Sequence, residues 1–328
     1  MTTREELDPQ STKLLDRLRA KCRVLHYSIR TEEAYHDWSR RYILFHGKRH
    51  PSEMGAKEID EFLTHLAVSR NVSASTQSQA LSALLFLYRD VLECEPGAIE
   101  GVVRATRPKR LPVILSRCEV QAVLGHLEGT ARLAGLLMYG SGLRVLEVLR
   151  LRVHDIDFVR NEVFVRAGKG DKDRRTMLPK AARLALIEHL EAVKVAHEAE
   201  LAAGRGRVYL PHGIGQKYRN ADVEWHWQYV FPARFESVDP QGGESRRHHL
   251  SEQAIQKAVK QATVKAGVQK AATPHTFRHA FATHLLESGT DIRTVQELLG
   301  HASVETTMVY LHVLNKGGQG VTSPLDNL

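Results

Sequence analysis

Cysteine is rare in this chain of 328 residues: Cys22, Cys94 and Cys118 stand far apart. That spacing excludes a disulfide framework and the paired thiols of a zinc site, and it suits a reducing cytoplasm. No apolar run approaches the length of a membrane span. The opening "MTTREELDPQSTK" is polar and holds no apolar core, so no secretory signal is read there. Internal repeats are missing too. Acidic charge is in deficit, with 38 Asp and Glu against 46 Lys and Arg. The resulting net charge of +8 calls for a polyanionic partner, and nucleic acid is the default one.

What is present is helical periodicity. In "STQSQALSALLFLYRDVL", Leu81, Leu84, Leu85, Tyr88 and Leu92 recur on one helical face, with Ser75 and Thr76 as capping candidates. "RTEEAYHDWSRRYILFHG" spaces Tyr35, Trp38, Tyr42 and Phe45 in the same way and stops at Gly47. "GAKEIDEFLTHLAVSR" gives Ile59, Phe62, Leu63 and Leu66. With an initial helix around Lys13 to Cys22, residues 1–100 read as a four-helix bundle. Residues 101–116, "GVVRATRPKRLPVILS", break the pattern. Two prolines with Arg104, Arg107, Lys109 and Arg110 make an extended basic linker suited to crossing a phosphate backbone. The plain alternative is a solvated connector.

A second domain, 117–328, opens with a helix capped by Ser116. Two helices hinge at "YGSG". Val163 and Val165 alternate in "NEVFVRAGKGDKDRRTMLP", which reads as a strand, a Gly-rich turn and a returning strand. "KAARLALIEHLEAVKVAHEAELAAG" is a long helix closed by Gly204. Residues 205–250 are irregular, yet they hold Trp225 and Trp227, two of the three tryptophans. Helices resume after that. The fold class is mainly α with a small antiparallel β-sheet.

Chemistry concentrates in this second domain. "GSGLRVLEVLRL" carries Arg144 and Glu147 at i, i+3, and "GKGDKDRRTMLP" carries Lys169 in the turn. "TPHTFRHAFATHLL" puts His275 and Arg278 on one helix face behind a Thr273-Pro274 start. "LLGHAS" sets His301 after a capping glycine, and Tyr310 follows in "TTMVY". Such a set fits phosphodiester cleavage. Guanidinium groups match phosphate oxygens with a rigid fork. Histidines move protons near neutral pH. Lys169 can protonate a leaving oxygen, and Tyr310 can attack phosphorus if cations or a base draw off its proton. Singly, each has a plain reading: Arg144 as an ion pair with Glu147, Lys169 with Lys172, Arg174 and Arg175 as a solvated turn, Tyr310 as a core aromatic. His275 and His279 stand i, i+4, but no carboxylate completes a metalloprotease pattern, and Arg278 sits beside them, so no metal is expected.

In this order the motifs "GLRVLEV", "GKGDKDR", "HTFRHAFATHLL", "LLGHAS" and "TTMVY" resemble the tyrosine recombinase (phage integrase) family. The resemblance implies a catalytic set of Arg144, Lys169, His275, Arg278, His301 and Tyr310, with Tyr310 forming a 3′-phosphotyrosine and neither ATP nor metal required. It implies two domains that clamp DNA and a homotetramer on DNA. The bundle and the stretch "KYRNADVEWHWQYVFPARFESVDPQGGESRRHHLSEQAIQKAV" look like the integron integrase subfamily. Its substrates are attI and folded single-stranded attC sites, whose extrahelical bases would stack on Trp227, Pro240, His248 and His249. The plain alternative is that the tryptophans anchor this insert on the catalytic domain. The rival functions are a Xer or phage-type recombinase acting on duplex sites and a DNA-binding regulator without catalysis. The tail, 314–328, would dock on a neighbouring protomer. Within the tyrosine motif, Met308, Val309 and Val313 are expected to anchor a short helix while the phenol points out towards DNA.

Overall fold

The computed structural model describes residues 13–99, 103, 112–166, 173–211, 213–238 and 243–310. Arg107, Lys109, Arg110, Lys169, Pro240 and the tail lie outside the described residues. The chain divides into two compact units, Met1–Arg110 and Leu111–Leu328. Among the described residues no helix is long and apolar enough to cross a membrane.

In the first unit the periodic segments form α1 (Leu14–Val24), α2 (Ile29–Phe45), α3 (Ala56–Val68) and α4 (Ala74–Phe86). Trp38 and Tyr42 of α2, Phe62 and Leu63 of α3, and Leu84 of α4 share one core. Tyr88, on a single π turn that extends α4, joins them. The two buried hydroxyls, on Tyr42 and Tyr88, satisfy each other at 2.9 Å. Two expectations need correction. Ser73, not Ser75 or Thr76, caps α4, because its side chain stands clear of the helix and accepts from the Thr76 backbone N–H. Phe45 ends α2 at 41 % exposure, where it meets the rings of His46, Phe62 and His65 at the rim of the core.

In the second unit Ser116 and Glu119 form a capping box that starts α5 (Arg117–Gly125). Helix α6 (Gly129–Ser141) reverses at Gly142 into α7 (Val145–Arg150). A three-stranded antiparallel sheet follows: β1 (Ile156–Asp157), β2 (Glu162–Val165) and β3 (Arg174–Met177), in that order. Val163 and Val165 point into the core, as their alternation requires. Helix α8 (Lys180–Ala202) ends where Gly204 turns left-handed. After the short α9 (Ile214–Lys217) and the ribbon of β4 (Ser237–Val238) with β5 (Ser245–Arg246) come α10 (Glu252–Lys265), α11 (Pro274–Glu287), α12 (Ile292–Leu299) and α13 (Val304–Met308). Helix α11 is the most deeply enclosed of these. Its Phe277 and Ala280 share the core with Leu137 and Met138 of α6, and Thr273-Pro274 starts it in a capping box with Thr276.

Candidate active site

Glycine brings the separated segments together. Gly142 adopts φ +65° at the end of α6, and a Cβ there would stand 2.4 Å from Phe281. Gly300 does the same after α12 at φ +61°, where a Cβ would meet Arg174 Cδ at 2.8 Å. Only glycine allows both the left-handed turn and the close approach. The first turn delivers Arg144 to the N-terminus of α7, and the second delivers His301.

Glu147 is the hub of the cluster. Its carboxylate accepts from the Arg144 backbone N–H at 2.8 Å and from the Arg144 guanidinium at 2.6 Å. Arg174 donates to both of its oxygens, at 3.0 and 2.6 Å, and Arg278 lies 3.7 Å away. Burial alone would raise the Glu147 carboxyl. The Arg174 fork and the Arg144 contacts overcome that and hold it at about 2. Arg278 is 1 % exposed and donates to the carbonyls of Gly142 and Leu299, each at 2.5 Å. Burial, with the Arg144 charge, lowers its guanidinium pKa, and Glu147 opposes that shift.

His275, Arg278 and His279 lie on α11. Desolvation and the Arg278 and Arg144 charges lower the His275 imidazole below its ordinary value, which favours its neutral form. His301 Nδ1 lies 3.0 Å from the Thr307 hydroxyl, and its ring is nearly parallel to that of Tyr310 at 6.4 Å.

Tyr310 itself departs from expectation. The residue is 3 % exposed, whereas its neighbours Met308 and Val309 are 49 % and 41 % exposed. Thr307 of α13 is buried, and the turn after the helix carries Tyr310 inward into one apolar cluster with Phe281, Val295 and Leu299. The hydroxyl is buried and shares a 2.8 Å hydrogen bond with His279 Nδ1. Burial raises the phenol pKa, against the pull of Arg278 and Arg144. The phenol thus points into the cluster of cations and not outward.

The structure brings Arg144, His275, Arg278, His301 and Tyr310 into one site. Two members were missed in the sequence. Arg174 reads as part of a solvated turn, but strand alternation sends Arg174 and Thr176 inward while Arg175 and Met177 face out. The sequence offers His279 only as half of a metal pair. Among the described residues no three His, Cys, Asp or Glu side chains gather to hold a metal ion.

The insert is stapled to the second unit by Arg152, buried beneath it. The guanidinium donates to the carbonyls of Trp227 at 2.5 Å and Tyr209 at 2.7 Å, and it lies over the Tyr229 ring. Trp225 packs against the main core, so it acts as an anchor. Trp227 meets His154 edge-on at 4.6 Å and packs against a small core of Val208, Leu210, Ala221 and Tyr229, so part of its surface is already engaged. His248 is exposed, with the rings of His249 at 4.1 Å and Tyr229 at 5.6 Å. His249 is more covered, and burial lowers its imidazole to about 4.

The phage integrase family matches residues 107–316, and the N-terminal SAM-like domain of phage integrases matches residues 14–97. An integrase/recombinase of Escherichia coli is 50 % identical over 319 residues, covering 97 % of this chain and 95 % of that protein. The tyrosine recombinase XerD of Agrobacterium fabrum is 32 % identical, covering 83 % of this chain and 81 % of its own. The crystal structure of XerH recombinase bound to its palindromic difH substrate shares the fold at a TM-score of 0.60 and 20 % identity, covering 93 % of this chain and 82 % of that one. The chain belongs to the phage integrase family of tyrosine recombinases, enzymes that cleave and rejoin DNA by transesterification.

Proposed function

We propose that the chain is an integron integrase, recombining folded attC sites and attI as a homotetramer on DNA. Tyr310 attacks the scissile phosphate and leaves a 3′-phosphotyrosine and a 5′-hydroxyl. Arg144, Arg278 and His301 stabilise the charge that builds on the phosphate oxygens, each well-placed donor lowering the barrier by about 3–4 kcal/mol. His275 assists proton transfer, and Lys169 protonates the departing 5′-oxygen. The two units clamp the duplex arm, with Arg107, Lys109 and Arg110 crossing the backbone.

One observation carries the catalytic assignment: a buried phenol, bonded to His279, that lies within the field of Arg278 and Arg144, two of the three arginines gathered on Glu147. The subfamily assignment is supported by the insert. It presents the exposed ring of His248, tilted against those of His249 and Tyr229, as a face on which an extrahelical base can stack for about 1–3 kcal/mol. Pro240 completes the expected stacking set with Trp227. The 32 % identity to the tyrosine recombinase XerD favours a second reading, a Xer-type enzyme acting on duplex sites.

A nicked attC hairpin with extrahelical bases separates these readings from a regulator. The wild type forms a covalent adduct on a denaturing gel, and Tyr310→Phe forms none. The hairpin is used in preference to a perfect duplex of the same sequence. Equal or better use of the duplex rejects the integron assignment, and an adduct in Tyr310→Phe rejects the nucleophile.

A further inference from the structure

The Tyr310 hydroxyl has a partner that the roles given above leave idle. It is bound to Nδ1 of His279, 2.8 Å away, on the same helix that carries His275 and Arg278. We infer that His279 is the base that takes the phenolic proton as Tyr310 attacks phosphorus. This rests on Tyr310 being the nucleophile. The Tyr310 O–H bond breaks and its proton passes to Nδ1. The phenolic oxygen bonds phosphorus, the P–O5′ bond breaks, and the departing oxygen takes a proton from the acid, the role given to Lys169. In religation the 5′-hydroxyl returns its proton to that acid, and His279 returns its own to the departing phenol. Nothing is consumed.

The geometry suits a base more than a spacer. The His279 ring packs 5.4 Å from the Tyr310 ring and edge-on at 4.4 Å to that of His275. Burial, with His275 and Arg278 beside it, lowers the imidazole to about 4, so it is uncharged at neutral pH and open to a proton. The charged and titratable groups gathered around the pair are His275 and Arg278 from α11, Arg144 and Glu147 from α7, Arg174 from β3 and His301 after α12. A scissile phosphodiester brings a negative charge into this cationic surround. That raises the basicity of His279 at the moment Tyr310 must lose its proton.

A buried phenol needs a hydrogen-bond partner in any case, so the test separates a proton acceptor from a mere partner. His279→Asn places an amide oxygen near the position of Nδ1, which accepts a hydrogen bond but takes no proton. Single-turnover adduct formation is followed across pH on whichever nicked DNA the wild type cleaves. The expected result is a rate lower by about 10²-fold at neutral pH, with DNA affinity unchanged. The deficit shrinks towards alkaline pH, because the acid limb of the wild-type profile moves upwards to the ionisation of the phenol itself. The shape of the profile is independent of how much variant is folded. A substrate with sulfur in the 5′-bridging position departs without a proton, so the deficit persists on it. The inference is overturned if His279→Asn stays within about threefold of wild type with the same pH profile, if it cleaves faster, or if the sulfur substrate restores it. An adduct persisting in Tyr310→Phe would instead remove the nucleophile assignment and leave His279 without this role.

Discussion

At the scale of single residues, the site turns on one carboxylate. Glu147 faces Arg144, Arg174 and Arg278, and its own desolvation is offset by their donors. Removing one partner of a buried pair leaves charge uncompensated, which costs about 3–5 kcal/mol. Glu147→Gln keeps the shape and removes the charge, so it is expected to lose about that much stability, read from the urea midpoint at pH 7. The folded-state value of about 2 lies below the ordinary Glu value of about 4.3 in an unfolded chain. Its contribution is therefore complete above that ordinary value and is lost as pH falls towards 2. The gap between wild type and Glu147→Gln should narrow through that same window. Arg144, Arg278 and Tyr310 were legible because each stands in a local motif. Arg174 and His279 were not, because their meaning comes from partners distant in sequence: Glu147 is 27 residues from the one, and Tyr310 is 31 from the other.

At the scale of elements, two left-handed glycines decide where the functional side chains arrive. Gly300→Ala forces the αL conformation on a residue with a Cβ, at about 1–2 kcal/mol, and drives that Cβ against the stem of Arg174. The expected outcome is a modest fall in thermal midpoint and a disproportionate one in rate. Cleavage of a nicked substrate should drop at least about tenfold, equivalent to about 1.4 kcal/mol of barrier. The hinge at "YGSG", the capping role of Gly300 and the strand alternation of Val163 and Val165 were readable, since each is a local conformational rule. The orientation of Tyr310 was not. Tyr310 lies in the turn beyond α13, a helix of only five residues whose periodicity does not extend to it; the cluster of Phe281 and Leu299 receives the ring.

At the scale of the whole molecule, the charge of +8 bears on binding more than on folding. Affinity for DNA should fall steeply with salt, each phosphate contact adding about −0.7 to −0.9 to the log–log slope; a flat response in a salt titration would count against the clamp. The two-part helical plan was visible because most of its helices carry their own apolar face. Residues 205–250 carry no such periodicity, and their docking depends on Arg152, which collects carbonyls 57 and 75 residues away. Arg278 has a similar reach: its two carbonyl partners lie 136 and 21 residues distant. That reach bears on biosynthesis. A chain emerging from the ribosome presents Arg144 and Arg174 early, but α11, α12 and the phenol come last, within the final quarter of the sequence. Domains generally fold as units, so a half-made chain that stops before α11 holds no assembled site. On the proposed assignment of Tyr310 as nucleophile, the genome meets this nuclease-like chemistry only once synthesis has passed that residue.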